Sequence, residues 1–212
     1  MNFQELHTLK KGKYPGLDPK ALRVHRAISW GIEAEKEQSG DKKFIFYWIA
    51  LNSAYADDKP YEDERSARKA FFEKISDLDS DNRIRNALIS IQNQLRLFVA
   101  NKHLYKAYWE AQKGNATESD VEWQQSQYKN KIYSGLMSKE DLIDVLDYLF
   151  ALMSILRNQI FHGLATYNSQ KNRGQVQAGV KILETIVPIM VEYVLEHDEV
   201  DWGKDPYPCV DD

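Results

Sequence analysis

The chain has almost no cysteine: Cys209 is the one thiol in 212 residues. A single thiol forms no intramolecular disulfide and builds no cysteine-rich zinc site, and it fits a reducing compartment. No run of about 18 apolar residues occurs, so no transmembrane helix is expected. The opening stretch MNFQELHTLKKGKYPG lacks the apolar centre of a signal peptide. These absences predict a soluble, cytoplasmic protein. A glycine-rich phosphate loop, a nucleophilic serine motif and a Cys–His pair are missing as well, and with them the chemistries they carry. Alternating strand patterns are scarce, and no internal repeat or low-complexity segment interrupts the chain.

What is present is an ordinary globular composition, with 43% hydrophobic, 28% charged and 12% aromatic residues. That length and composition support one good core with a small appendage. The formal net charge of −4 argues against a general nucleic-acid coat. The charge is unevenly spread, however. Residues 10 to 26 carry Lys10, Lys11, Lys13, Lys20, Arg23 and Arg26 against the one acid Asp18, whereas from Glu192 onward there are eight acids and the one base Lys204. A local basic surface is therefore compatible with the overall sign.

Helical periodicity runs through nearly every long segment. The stretch LDPKALRVHRAISWGIEAEKEQ has Asp18 as N-cap and Pro19 at the first helical position, with Leu22, Ile28, Trp30 and Ile32 supplying apolar surface. Eight apolar residues in a row, Phe44 to Leu51, predict a helix buried on most sides. ERSARKAFFEKISDL reads as a shorter amphipathic helix. Residues 80 to 112 read as one long helix with Ile84, Leu88, Ile91, Leu95, Phe98 and Val99 on one side. KGNATESD breaks the pattern, and VEWQQSQYKNKIYSG is expected to be a short surface helix. In SKEDLIDVLDYLFALMSILRNQIFHG, Ser138 and Asp141 resemble a capping box, Val145, Leu149, Leu152, Leu156 and Ile160 form a stripe, and Gly163 suits the residue that ends a helix. QVQAGVKILETIVPIMVEYVLEH closes the set, with Pro188 a candidate kink. The fold expected is an all-α, single-domain bundle of about six or seven helices. Residues 1–18 form a basic N-terminal extension, residues 19–197 the helical domain and residues 198–212 an acidic, irregular tail.

The chemistry is concentrated in ILRNQIFHG, residues 155–163, where an apolar helix ends on polar groups. Asn158 and His162 are four apart and share a helix face. Arg157 leads His162 by five residues, about 140° around a regular helix, a separation that shrinks if the helix loosens near Gly163. A histidine near a helix C-terminus is favoured as the cation, and its ordinary pKa suits acid or base work near neutrality. Arginine supplies a planar cation matched to phosphate, and the asparagine amide can hold the ring or a ligand oxygen. Together they suit metal-free phosphodiester cleavage.

RNQIFHG resembles the Arg-Asn-x-x-x-His signature of the HEPN superfamily, and FIFYWIALNSAYA, residues 44–56, is similar to the aromatic-rich early helix of many HEPN domains. The likeness covers residues 19–197 apart from an unmatched insert around 101–137. It implies a HEPN-like bundle and a metal-independent endoribonuclease of the toxin or antiviral-defence kind, needing no cofactor. The partners it implies are RNA, a second copy of the chain forming a composite cleft, and an antitoxin or defence-system protein, with no membrane. The site residues it implies are Arg157, Asn158 and His162. His162 would move the proton, Arg157 would stabilise the phosphorane-like charge, and Asn158 would position one of them.

Two other readings stay open. His162-Gly163 also suits a plain helix C-cap, and a HEPN fold is also found in non-catalytic modules that bind RNA or a protein partner. RIRNALIS repeats the Arg-Asn pair but carries Ser90 where histidine is needed. Asn52 and Tyr55 are candidates to lie near the motif and support it, with Asn52 slightly favoured as a group that caps or satisfies buried backbone. His25, His103 and His197 stand alone, apart from Asp198 and Glu199 beside the last, so no metal site is expected. Tyr105, Tyr108, Trp109, Trp123, Tyr128 and Tyr133, mixed with Lys102, Lys106, Lys129 and Lys131, either stack unpaired bases or form a packing surface.

Overall fold

Helices account for every regular element in the computed structural model, which describes residues 1–15, 21–61, 63–138 and 142–207. Ten α-helices occur among the described residues, more than the six or seven expected. None of them is long and apolar enough to cross a membrane. Their contacts fall into two units: residues 1–80 with 183–212, and residues 81–182.

In the first unit, α1 (Phe3–Lys13) starts from a capping box: Asn2 Oδ1 accepts from the Glu5 N–H at 2.8 Å, and Glu5 Oε2 accepts from the Asn2 N–H at 2.9 Å. Phe3 and Leu6 are fully buried, so this stretch adds to the core as well as carrying basic charge. α2 (Leu22–Lys36) and α3 (Gly40–Tyr55) pack along each other. Asp18 and Pro19, the expected start of α2, lie outside the described residues. Of the expected apolar surface, Leu22 and Ile28 are buried, whereas Trp30 is exposed and stacks at a tilt on Phe46, 5.5 Å between centroids.

The apolar run in α3 is buried on most sides: Phe44, Tyr47, Trp48, Ala50 and Leu51 are in the core and Ile45, Phe46 and Ile49 are half-buried. Burying such side chains is worth roughly 1.5–3 kcal/mol each, which outweighs the modest helix propensity of aromatics. α4 (Glu64–Leu78) is N-capped by Asp63, which accepts from the Ser66 N–H at 2.8 Å, and it buries Phe71, Phe72 and Ile75.

In the second unit the expected long helix of residues 80–112 is broken into α5 (Arg83–Ser90), α6 (Gln92–Ala100), a 3-10 turn at Lys102–Leu104 and α7 (Lys106–Gln112). The apolar stripe is as expected, since Ile84, Leu88, Ile91, Leu95, Phe98 and Val99 are all buried. Continuity fails because Ile91 leaves helical geometry (φ −111°, ψ 28°), and because Asn101 turns extended and caps the next turn, accepting from the His103 N–H at 3.0 Å.

α8 (Glu118–Met137) is 20 residues long, well beyond the short surface helix expected. Its start is fixed by a second capping box, Thr117 with Asp120, inside the stretch that reads as a break. Ser138 is its C-cap, donating its N–H to the Ser134 carbonyl at 2.9 Å, and Asp141, the expected partner of Ser138, lies outside the described residues. α9 (Leu142–Phe161) packs along α8. α10 (Arg173–Glu196) follows a 3-10 turn at Gln170–Asn172 and continues through Pro188; its residues up to 182 belong to the second unit and the rest to the first.

Candidate active site at the end of α9

Burial along α9 explains why polar groups appear where they do. Val145, Leu149, Leu152 and Leu156, four members of the expected stripe, are fully or almost fully buried, as are Leu146, Phe150 and Met153. Leu156 is the last buried residue of the helix, and Ile160, the fifth stripe position, is half-buried. Arg157 and Asn158 therefore begin where the core ends. Asn158 is half-buried, His162 is exposed, and Arg157 is half-buried with its Nε shielded from solvent.

The backbone stays regular through the motif. The His162 N–H donates to the Asn158 carbonyl at 3.1 Å, an ordinary i to i−4 bond. The helix does not loosen before His162, so the 140° separation from Arg157 stands, with about 7.5 Å of rise between them. Gly163 then takes a left-handed conformation (φ 67°), its N–H reaches the Ile160 carbonyl at 3.3 Å, and the Ala165 N–H closes on the Gln159 carbonyl at 2.9 Å. This is the glycine helix end that the sequence suggests.

Side chains around the motif divide into engaged and unengaged groups. Asn158 and His162, stacked on one face, make no side-chain hydrogen bond to any described residue. Gln159, between them in sequence, is fully engaged. Its Nε2 donates to the His103 carbonyl at 2.9 Å, and its Oε1 accepts from Gln175 Nε2 at 3.2 Å. Gln175, only 4% exposed, in turn accepts from Asn101 Nδ2 at 2.7 Å. This amide chain joins α9, α10 and the 3-10 turn, and it holds the motif against rotation about the helix axis. Sequence reasoning passes over Gln159 because it occupies a position where the motif accepts any residue; the available signal was a glutamine beside the polar pair. Large hydrophobic side chains near the histidine in sequence face solvent: Phe161, Leu164 and Tyr167 are 46%, 74% and 62% exposed.

The aromatic and lysine set splits. Tyr105 is buried, donates its hydroxyl to the Val99 carbonyl at 2.6 Å and meets Tyr128 edge-on, which in turn meets Tyr148. Burial holds the Tyr105 phenol well above its ordinary pKa. That half is packing. Tyr108 and Trp109 instead cluster with His103 toward solvent, beside Gln159.

Other candidates resolve without a site. The Ser90 hydroxyl donates to its own helix, at the Ala87 carbonyl. Tyr55 and Asn52 belong to the first unit and the motif to the second. The Tyr55 hydroxyl donates to Glu64 at 3.4 Å. Asn52 caps nothing through its side chain: its Oδ1 is buried and accepts no hydrogen bond from a described residue. His197 Nδ1 sits 2.6 Å from Glu199 Oε1, and Asp198 is taken by Lys13 and Tyr14. Among the described residues no three His, Cys, Asp or Glu side chains converge as metal ligands.

Three side chains of the basic run of residues 10–26 are engaged within the first unit, and Lys20 lies outside the described residues. Lys13 pairs with Asp198 at 3.0 Å and Arg26 with Asp205 at 2.7 Å. Buried Arg23 donates to the Ala54 and Gly203 carbonyls, with burial pulling its guanidinium pKa below the usual value. The two ends of opposite charge thus answer each other.

No protein-family model matches the chain, and no curated protein or solved structure shows significant similarity to it.

Proposed function

We propose that the chain is a metal-independent endoribonuclease of HEPN type, with His162 as the proton-transfer group, Arg157 as the transition-state cation and Asn158 as the positioning amide. The observation that carries this reading is that Asn158 and His162 are neighbours on one helix face and neither side chain makes a hydrogen bond to a described residue. A neutral His162 ring would take the proton of the RNA 2′-hydroxyl as the 2′-oxygen attacks the adjacent phosphorus. The 5′-oxygen would leave with a proton from a second acid. The products would be a 2′,3′-cyclic phosphate and a 5′-hydroxyl, with no water or metal consumed.

One copy of the motif offers one histidine and holds Arg157 on a diverging face. The second acid is best supplied by a second copy, and exposed Phe161, Leu164 and Tyr167 provide apolar surface for such a two-fold contact. The same exposed residues support a second reading, a non-catalytic module whose α9 end docks RNA or a partner such as an antitoxin.

The test is RNA cleavage by the purified chain in excess EDTA, with sedimentation in parallel. Cyclic-phosphate ends formed without metal, lost in His162→Ala, and a dimer near twice 24.7 kDa are expected. Activity that disappears on chelation and returns with a divalent metal would rule the mechanism out. A strictly monomeric chain without turnover would favour the module.

A further inference from the structure

Three rings stand together beside the motif. The centroids of His103 and Tyr108 are 4.8 Å apart, those of Tyr108 and Trp109 5.1 Å apart and nearly perpendicular, and those of His103 and Trp109 6.1 Å apart. Trp109 keeps 40% of its surface exposed, while its Nε1–H donates to the His103 carbonyl at 2.9 Å. Gln159 donates to that same carbonyl. The ring cluster is therefore one hydrogen-bonded oxygen away from the motif helix. Gln159 and His162 are three apart in sequence, hence neighbours on the helix surface. Lys102 Nζ lies 5.3 Å from the Tyr108 ring centre and is otherwise exposed. The nearest acid in sequence on α7, Glu110, is paired with Lys113 at 2.9 Å and accepts a hydrogen bond from Asn115 at 3.0 Å.

A fixed, half-exposed indole backed by two further rings, with a cation alongside, is suited to the face of an unpaired base. Stacking needs only a π surface and a nearby positive charge for the phosphate. We propose that Trp109, supported by Tyr108 and His103, is a nucleobase-stacking subsite for single-stranded RNA, with Lys102 meeting the adjoining phosphate. The subsite rests on the ribonuclease reading for its purpose, since it would hold the strand beside His162. It also reconciles RNA binding with a net charge of −4: recognition falls on one local platform rather than on a basic face.

The experiment measures binding of a fluorescein-labelled single-stranded RNA of mixed sequence by anisotropy, using the whole 212-residue chain carrying His162→Ala so that nothing is cleaved. Adding Trp109→Ala should weaken binding about 5- to 100-fold. Trp109→Phe removes the N–H bond but keeps a ring face, and should stay within a few-fold of the parent. Lys102→Ala should weaken binding less, and lower the salt dependence by about one phosphate contact.

No measurable binding by the parent, or equal binding by the parent and Trp109→Ala, overturns the subsite. So does a Phe variant as weak as the Ala variant, because the bond rather than the stack would then be at work. A shift of Trp109→Ala to a lower oligomer with RNA affinity unchanged also overturns it, and marks a protein interface instead. The two readings fail separately. Trp109-dependent binding without cleavage by the unsubstituted chain removes the ribonuclease and keeps the subsite. Cleavage abolished by His162→Ala but indifferent to Trp109→Ala does the reverse.

Discussion

Two helix ends in this protein are built to opposite plans. After α10, the segment from His197 to Tyr207 has no regular structure, yet nearly every group in it is held. Asp198 takes Lys13 and Tyr14, Asp201 takes Lys59, Asp205 takes Arg26, and Trp202 packs on Phe71 while its indole N–H donates to the His197 carbonyl. Lys74 donates to the Asp201 carbonyl and lies over the Trp202 ring. After α9, the chain turns at Gly163 into residues that are mostly exposed, and the side chains of Asn158 and His162 are held by nothing described. Both turns contain a left-handed glycine. A Cβ on Gly203 would lie 2.4 Å from Asp57 Cβ, whereas one on Gly163 would meet nothing within 4 Å. A strap that closes its own polar groups stabilises the fold, and a helix end that leaves them open is available for chemistry.

The widest test of that contrast is in the motif. Arg157→Ala and His162→Ala should each lower the rate of RNA cleavage at least ~100-fold, through loss of the cation or of the proton carrier. His162 is exposed, so its truncation leaves no cavity, and the melting temperature should barely move. Turnover that survives His162→Ala would leave the α9 end as a plain cap.

The glycines sharpen the comparison on stability alone. Gly203→Ala combines left-handed strain with a clash against Asp57 and should cost roughly 2–5 kcal/mol. Gly163→Ala meets open space, so strain alone acts, at roughly 1–2 kcal/mol. Denaturant titration of both variants reads the difference. Equal losses would mean that the two turns are equally constrained.

Much of the α9 end was legible in the sequence, and little of the α10 strap. The stripe from Val145 to Leu156 and the glycine stop at Gly163 follow from local periodicity and one residue's conformational freedom, which a sequence displays directly. The engagement of Gln159 does not, because it depends on the His103 carbonyl and on Gln175, which stand 56 and 16 residues away in the chain. The break at Ile91 was hidden for a related reason: the apolar stripe is continuous across it, so side-chain pattern gives no sign that the backbone bends. α8 runs longer than the short surface helix expected because only Val121, Ile132, Gly135 and Leu136 of its 20 residues are buried, so apolar periodicity does not mark its ends. The basic and acidic runs at opposite ends were visible as a charge asymmetry. That they pair is a matter of long-range folding, and local pattern shows only a basic surface and an acidic tail.

A smaller effect is expected in the strap itself. Arg26 and Asp205 keep 35% and 18% of their side-chain surface exposed, and Arg26 also donates to the Tyr207 carbonyl at 2.6 Å. Screening limits such a pair, so Arg26→Ala should cost about 1 kcal/mol. Arg23→Ala, at a buried guanidinium holding two carbonyls, should cost more and leave both oxygens without those donors. Reversal of that order would mean the strap is held by charge rather than by burial.

The smallest and most specific effect is with pH. Hydrogen bonds from Lys13 and then Tyr14 hold the Asp198 carboxyl down to about 2, below its ordinary value near 4. Between those limits the unfolded chain binds more protons at this group than the folded one, so stability rises with pH there. The contribution is fully present above about pH 4 and fades as the pH falls toward 2. Lys13 sets the opposite edge: burial pulls its pKa down, but the bond to Asp198 together with the Asp198 charge and the Tyr14 hydroxyl beside it outweighs burial, and the net shift is upward. Its contribution is complete below the ordinary lysine value near 10.4 and is lost as the pH climbs past it. Asp198 is solvent-exposed, so the effect is small, and it is read best as a difference. The melting temperature of Asp198→Asn should lie below that of the unsubstituted chain across the neutral range and converge on it as the pH approaches 2. A gap that stayed constant down to that pH would show that the strap does not depend on the charge of Asp198, and the contrast between the two helix ends would then rest on the strap's other contacts, those of Asp201, Trp202, Gly203 and Asp205.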